Sequence, residues 1–271
     1  MREPTVLGCR LLACLILLGF ACPPSGRAQD TPPESDREWG IAVTPYVLFA
    51  SQSTDVAGQK IRQSFSDLAS LTNAGFQMKT SAYWRRAIFT VDWTYAKLGA
   101  GGERGRATFD LEIDQWIVDL GVGGKFFDNR APDTQVGTSI YAKLGARYWS
   151  NDVELRLRID PVLPAGDPTE ETFDDVQAWW DPMLTVTGFF GVTETVAFGL
   201  KGAGGGLGIG NASNFVLDLE ALAHFRIARR WLISAGYRQF RYDRTDGEGE
   251  DELETKVNVG GPMIGVSLLI G

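Results

Sequence analysis

The chain has 271 residues, 26 basic and 34 acidic, and this balance leaves no positive surplus with which to hold a nucleic acid. Its three cysteines, Cys9, Cys14 and Cys22, all fall in the first 22 residues, and its one histidine, His224, cannot build a histidine metal cluster. Yet 15 Phe, 8 Trp, 7 Tyr and 32 Gly are an unusual load for an acidic soluble domain, and they point to an all-β protein.

At the N-terminus, Arg2 and Arg10 bracket a basic segment, and the uncharged apolar run 11–22 follows it. Pro23 and Pro24 then break any helix, and Gly26 and Ala28 supply the small residues of a cleavage site. This order predicts a secretory signal peptide over 1–28. The run falls short of the ~20 apolar residues that a spanning helix needs. Lipid attachment is the weaker reading: Cys14 sits early in the run, and Cys22 follows Gly19-Phe20-Ala21 without an aliphatic residue three positions before it. Cleavage would remove three arginines and one glutamate, leaving a mature part with net charge −10 and no cysteine. The polar, Pro-containing segment 29–38 is expected to be a loose leader.

From Trp39 onward the hydrophobic period is two. Phe89, Val91, Trp93 and Tyr95 alternate with Thr90, Asp92 and Thr94, and Leu144, Ala146 and Tyr148 alternate with Lys143, Gly145 and Arg147. The same holds for Trp180 to Val186 and for Phe215 to Phe225. Strands are predicted near 39–50, 74–84, 87–98, 107–126, 136–157, 175–190, 195–206, 213–227, 231–245 and 252–270. Short turns fall at Arg85-Arg86, 191–194 and 228–230. Longer polar connections fall at 99–106, 127–135, 158–174 and 246–251. Residues 54–57 and 60–63 read as a small hairpin around Gly58, and Phe65–Leu71 as a helical turn. One strand breaks phase: Phe109, Leu111 and Ile113 are odd, whereas Trp116, Val118, Leu120 and Val122 are even. Either a β-bulge near Asp114-Gln115 restores one apolar face, or the first part extends beyond a membrane.

What stands on the polar face separates a membrane barrel from a soluble sandwich. With the apolar set outward, the inward set is Lys79, Asp92, Asp119, Lys125, Lys143, Arg147, Asp181, Lys201, Asp218, Glu220 and Arg238. An apolar exterior around a charged interior fits a closed transmembrane β-barrel of about ten strands, within a range of 8–12. Six cations and five anions in a narrow lumen must pair, because isolated buried charge is very costly. Small barrels are filled by side chains, so an ion-pair plug is favoured over an open conduit.

Candidate chemistry is sparse. His224 shares the inward phase with Asp218 and Glu220, and Ser139 or Ser234 could be imagined as its partner, but no spacing specifies one. Residues 202–210 (GAGGGLGIG) do not fit G-x-G-x-x-G and no helix follows them; glycine here lets a sheet bend. The acidic stretch 246–254 reads as a solvated loop rather than a cation site. No cofactor and no enzymatic activity are expected.

Several segments taken together resemble a large, mostly uncharacterised outer-membrane β-barrel family of Gram-negative bacteria. They are Pro45-Tyr46, 64–68 (SFSDL), Asp92 to Tyr95, Gly145 to Trp149, Trp180 to Pro182, the glycine-rich 202–210, Gly236 to Arg238 and Gly261-Pro262. The resemblance covers nearly the whole mature part and implies fold and location, and it implies no reaction. One departure is the end of the sequence, Leu268-Leu269-Ile270-Gly271, where such barrels usually carry an aromatic residue used in assembly. The expected organisation is therefore a signal peptide (1–28), a leader (29–38) and an outer-membrane barrel (39–271). The expected role is structural or interactive. A narrow porin-like channel is the second reading, and a lipid-modifying enzyme and a soluble periplasmic β-protein stand behind it. Partners implied are outer-membrane lipid, the barrel assembly machinery and, for a channel, a small solute.

Overall fold

The computed structural model describes residues 39–56, 59–104, 107–131, 134–159, 169–247 and 253–271, so the expected signal peptide and leader lie outside the described residues. Ten antiparallel strands close into one barrel: β1 (Trp39–Leu48), β4 (Thr72–Trp84), β5 (Ala87–Arg104), β6 (Ala107–Asp128), β7 (Gly137–Ile159), β8 (Thr169–Gly191), β9 (Val196–Gly206), β10 (Phe215–Ala228), β11 (Trp231–Asp246) and β12 (Leu253–Ile270). Each pairs with its neighbour in sequence around the ring, and β1 closes it against β12, Ile41 opposite Ile270 and Leu48 opposite Met263. Closure pairs both edges of the sheet, as a lipid environment demands of backbone N–H and C=O groups.

Two further strands, β2 (Ser51–Val56) and β3 (Gln59–Gln63), form a hairpin that pairs with the upper part of β12, from Val56 opposite Thr255 to Ser51 opposite Gly260. A short helix, α1 (Phe65–Leu71), follows. Its start is a capping box: the Ser64 amide donates to Asp67 Oδ2 at 2.8 Å, and the Asp67 amide donates to Ser64 Oγ at 3.3 Å. The Ser64 hydroxyl, donating to Asp67 at 2.7 Å, is the main cause holding this exposed carboxyl below its ordinary value.

The outer face is apolar where it meets lipid. Leu144, Leu184, Val122, Leu200 and Leu219 are all exposed on it. Aromatic pairs mark its upper border, Tyr95 with Trp116 at 4.6 Å and Tyr148 with Trp180 at 4.8 Å. Trp39, Trp84, Phe127, Phe190 and Trp231 mark the lower one. Ten residue steps along β8 lead from Trp180 to Phe190. At ~3.4 Å per residue and a tilt of ~45°, they cover ~24 Å along the axis, which matches the ~25 Å apolar band of such barrels. The turns at Arg85-Arg86, 129–136, 192–195 and 229–230 share the lower end with the outset of β1 and the finish of β12. In this architecture that short-turn end is periplasmic and the end with longer loops is extracellular.

Three expectations need correction. The longer polar connection expected over 127–135 starts later, since β6 runs to Asp128, and it joins β6 to β7 at the end that carries the short turns. The connection expected over 99–106 is largely strand, since β5 runs to Arg104 and β6 starts at Ala107. Third, no bulge occurs at Asp114-Gln115: β6 pairs without interruption with both neighbours there, and its register shifts only between Lys125 and Phe127. The phase break has the other cause. Strands β5 to β8 continue above the aromatic border, where the outer face meets water, so Asp110, Glu112 and Asp114 point outward and Phe109, Leu111 and Ile113 take the inner phase. Lys97 pairs with both Glu112 and Asp114 on that outer face.

Two outcomes follow from this arrangement. Leu144→Arg, placed between the aromatic borders, should destabilise the barrel by ~2–4 kcal/mol in urea unfolding, whereas Asp110→Arg, on the same outer face above them, should cost about 1 kcal/mol or less. The Asp67 cap should stabilise α1 fully above ~pH 4 and fade as pH falls through its lowered folded value. The protection factors of the amides over residues 65–71, taken against the intrinsic exchange rate at each pH, should then fall on acidification, and the Asp67→Asn variant should lose that pH response.

Candidate functional site

The inward residues stack in three tiers. In the middle tier, Arg238 on β11 lays a bidentate pair on Asp218 of β10, Nη2 to Oδ2 at 2.8 Å and Nε to Oδ1 at 3.2 Å. Its Nη1 crosses the barrel to Asp92 of β5 at 3.2 Å and to Tyr46 Oη of β1 at 2.9 Å, while Tyr46 donates to Asp92 at 2.8 Å. Arg147 of β7 binds the same Asp218 at 2.5 Å, and through Nε and Nη2 it clasps Asp119 of β6. Lys201 of β9 completes the set, Nζ to Asp218 at 3.0 Å. The six charged residues thereby tie six strands across the lumen, and Tyr46 adds β1 as a seventh, with Arg147 and Asp218 almost wholly buried, at 1% and 0% exposed. The group is neutral: Arg147, Arg238 and Lys201 against Asp92, Asp119 and Asp218.

Above it lies an aromatic tier. Trp149 and Trp179 stack at 5.5 Å with their planes 14° apart, and Tyr242 closes on Trp149 at 4.7 Å. The guanidinium of Arg244 caps Trp179 at 3.9 Å. Asp181 sits here fully buried, and among the described residues it is met by hydrogen bonds and by no ion-pairing cation. It accepts from Trp149 Nε1 at 2.7 Å, from the Ser213 amide at 2.6 Å and from Ser213 Oγ at 3.0 Å. Ser213 reaches this point because the 207–214 loop folds in over the lumen from Gly206. With φ at +91°, Gly206 would place a Cβ 2.5 Å from the Ser213 carbonyl.

The lower tier opens to the periplasmic end as a cavity of about 690 Å³. Lys79 of β4 pairs across it with Glu220 of β10 at 2.9 Å, and Lys201 lies 4.0 Å from the same carboxylate. Lys143 reaches only the hydroxyl of Thr90, at 3.2 Å; among the described residues no carboxylate lies within ion-pair distance of it. Below the lysines, Tyr83, Tyr141, Phe189 and His224 follow one another at centroid distances of 6.1, 6.0 and 5.8 Å. His224 Nδ1 meets Ser234 Oγ at 2.7 Å, its Nε2 is buried without a hydrogen-bond partner among the described residues, and its ring fills the space a side chain at Gly199 would need. At the mouth, Lys125 and Arg130 both pair with Asp128, at 2.5 and 2.9 Å.

The residues expected to form one inward network thus fall into four settings. Asp92, Asp119, Arg147, Lys201, Asp218 and Arg238 are brought together, and Lys79 and Glu220 join them through Lys201. Asp181 is taken by the aromatic tier. Lys125 stands at the rim, and Lys143 stands apart. Tyr46, Trp149, Trp179, Ser213 and Arg244 were not among the expected residues. Strand phase held a signal for three of them: Trp149 is two residues from Arg147, Trp179 two from Asp181, and Arg244 six from Arg238, each on the same inward face.

No family model matches the sequence, and no curated protein matches it. By structure, the chain is similar to the outer membrane protease OmpT from Escherichia coli, with a TM-score of 0.51, 8% identity, and coverage of 90% of this chain and 99% of that one. The chain has the outer-membrane β-barrel fold. Weaker likenesses are to Ail, the attachment invasion locus protein of Yersinia pestis (TM-score 0.31, 14% identity, 86% and 98% covered), and to OprG from Pseudomonas aeruginosa (0.30, 11%, 86% and 96%). The barrel's apolar belt, aromatic borders and closed sheet agree with an outer-membrane location.

Breaking the middle tier should be costly. Arg238→Ala would strand Asp92 and half of the Asp218 interactions in a closed interior, for a loss of about 3–5 kcal/mol. Arg156→Ala, an exposed pair with Glu154, should cost under about 1 kcal/mol. Urea-dependent loss of heat-modifiability on gels measures both.

Proposed function

We propose that this protein is a closed outer-membrane barrel whose lumen is a plug rather than a path, and that its role is structural or interactive. The observation that carries this reading is the cross-barrel cluster around Asp218, with the stacked tryptophans above it. Together they fill the section where a pore would need water. In support, small barrels are commonly filled by their own side chains. The partners that follow are outer-membrane lipid around the belt and the barrel assembly machinery during insertion. Residues 1–28 are proposed as the signal peptide and 29–38 as the leader.

We read the barrel as non-enzymatic. OmpT is a protease, but a likeness at 8% identity concerns the fold alone. His224 has a serine hydroxyl beside it but no carboxylate in hydrogen-bond contact among the described residues, so its imidazole lacks an orienting acid. A narrow channel for small solutes is the second reading, favoured by the cavity that occupies the periplasmic half of the lumen.

Conductance in planar bilayers separates the two. The wild type should show no steady single-channel current, and Arg147→Ala with Arg238→Ala should introduce one by removing both guanidinium groups that cross the section. Strong conduction by the wild type would replace the closed barrel with the channel.

A further inference from the structure

The periplasmic cavity has a composition that a plug does not need. Its inner wall carries Lys79, Lys143 and Lys201. The carboxylates that answer them are already engaged, Asp218 by Arg147 and Arg238 and Glu220 by Lys79, and the other two on the inner wall, Asp92 and Asp119, are held by Arg238 and Arg147. Lys143 is left with one threonine hydroxyl for three N–H donors. Two further polar atoms on the lining, Thr187 Oγ1 and His224 Nε2, are buried without a hydrogen-bond partner among the described residues. An uncompensated ammonium in a walled lumen is destabilising, so a side chain kept there calls for a counter-charge from outside the chain.

The approach is built for the same sign. Arg85, Arg86, Arg130, Arg226, Arg229 and Arg230 crowd the periplasmic end, where Asp128 and Glu194 are the acidic residues among those described. The chain as a whole is acidic, so this basic mouth is a local inversion. A cleft walled by low-dielectric protein and lined with one sign of charge draws in the opposite one. Between mouth and lysines, Tyr83, Tyr141 and Phe189 supply apolar ring faces on adjoining parts of the wall.

We propose that this cavity is a periplasm-facing binding site for a small organic anion, a carboxylate or phosphate head on a short aromatic or apolar body. The head would meet Lys143 and Thr187, and the body would lie against the tyrosines and Phe189. The plug above makes the site a dead end, so the proposal rests on the closed barrel for its one-sided access but not for its chemistry.

Calorimetric titration of the full barrel in nanodiscs, with empty nanodiscs as reference, tests it. Benzoate and phenyl phosphate are the two anionic probes, and benzylamine is the cationic control of similar shape. At least one anion should bind saturably and benzylamine should not, and which anion binds more tightly assigns the head. Lys143→Met should weaken that binding at least tenfold while leaving the melting temperature equal or higher, because it removes an unpaired charge. Lys143→Arg should restore binding. The site is overturned if neither anion saturates, if benzylamine binds equally, or if Lys143→Met binds like the wild type. It is also overturned if that variant loses binding only by losing heat-modifiability. Anion binding by a barrel that also conducts would sink the closed reading and leave the site standing.

Discussion

Everything inside this barrel is arranged around Asp218. Three cations from three strands, Arg238, Arg147 and Lys201, converge on one carboxylate that has no contact with solvent. Such a convergence would be ruinous with any one charge missing, and it is tolerated because Asp92 and Asp119 answer the remaining guanidinium edges. A neutral, fully hydrogen-bonded cluster meets the conditions under which buried charge is affordable at all. Because its members sit on six strands, the cluster also sets how far apart opposite walls can stand. The aromatic tier above and the cavity below are consequences: one closes a section already narrowed, the other is the space left where the cations outnumber their partners.

The contrast between two aspartates shows how the lumen handles charge. Asp218 is neutralised by cations. Asp181, equally buried, is held by Trp149 and by the amide and hydroxyl of Ser213, so its stability depends on the 207–214 loop staying folded inward. Loop and tier therefore form one unit, and the extracellular closure is only as firm as the backbone turn at Gly206.

The ten strands and their facing were legible in the sequence because a period of two repeats in every segment and the lipid side admits little but apolar residues. The phase break in β6 was legible as a fact but not in its cause. Polarity inverts where a strand leaves lipid, and a sequence does not mark the height of the membrane. Which inward residues share a cluster was hidden for a related reason. Strand phase gives the side, but the stagger of the ring decides the level, so Asp181 and Arg147, paired directly across β7 and β8, send their side chains into different tiers. Lys143 looked like any other inward cation, and only the map of partners separates it from the rest.

The central claim is that opposite walls are energetically coupled through the lumen. A double-mutant cycle on Arg238 of β11 and Asp92 of β5 measures that coupling, with urea unfolding in lipid as the readout. The two walls are linked only through side chains at this level, so the account predicts that the double variant costs less than the two single variants added together, by about 1–3 kcal/mol. Additive costs would mean that each charge is solvated by itself, and the lumen would then be a water-filled space rather than a plug.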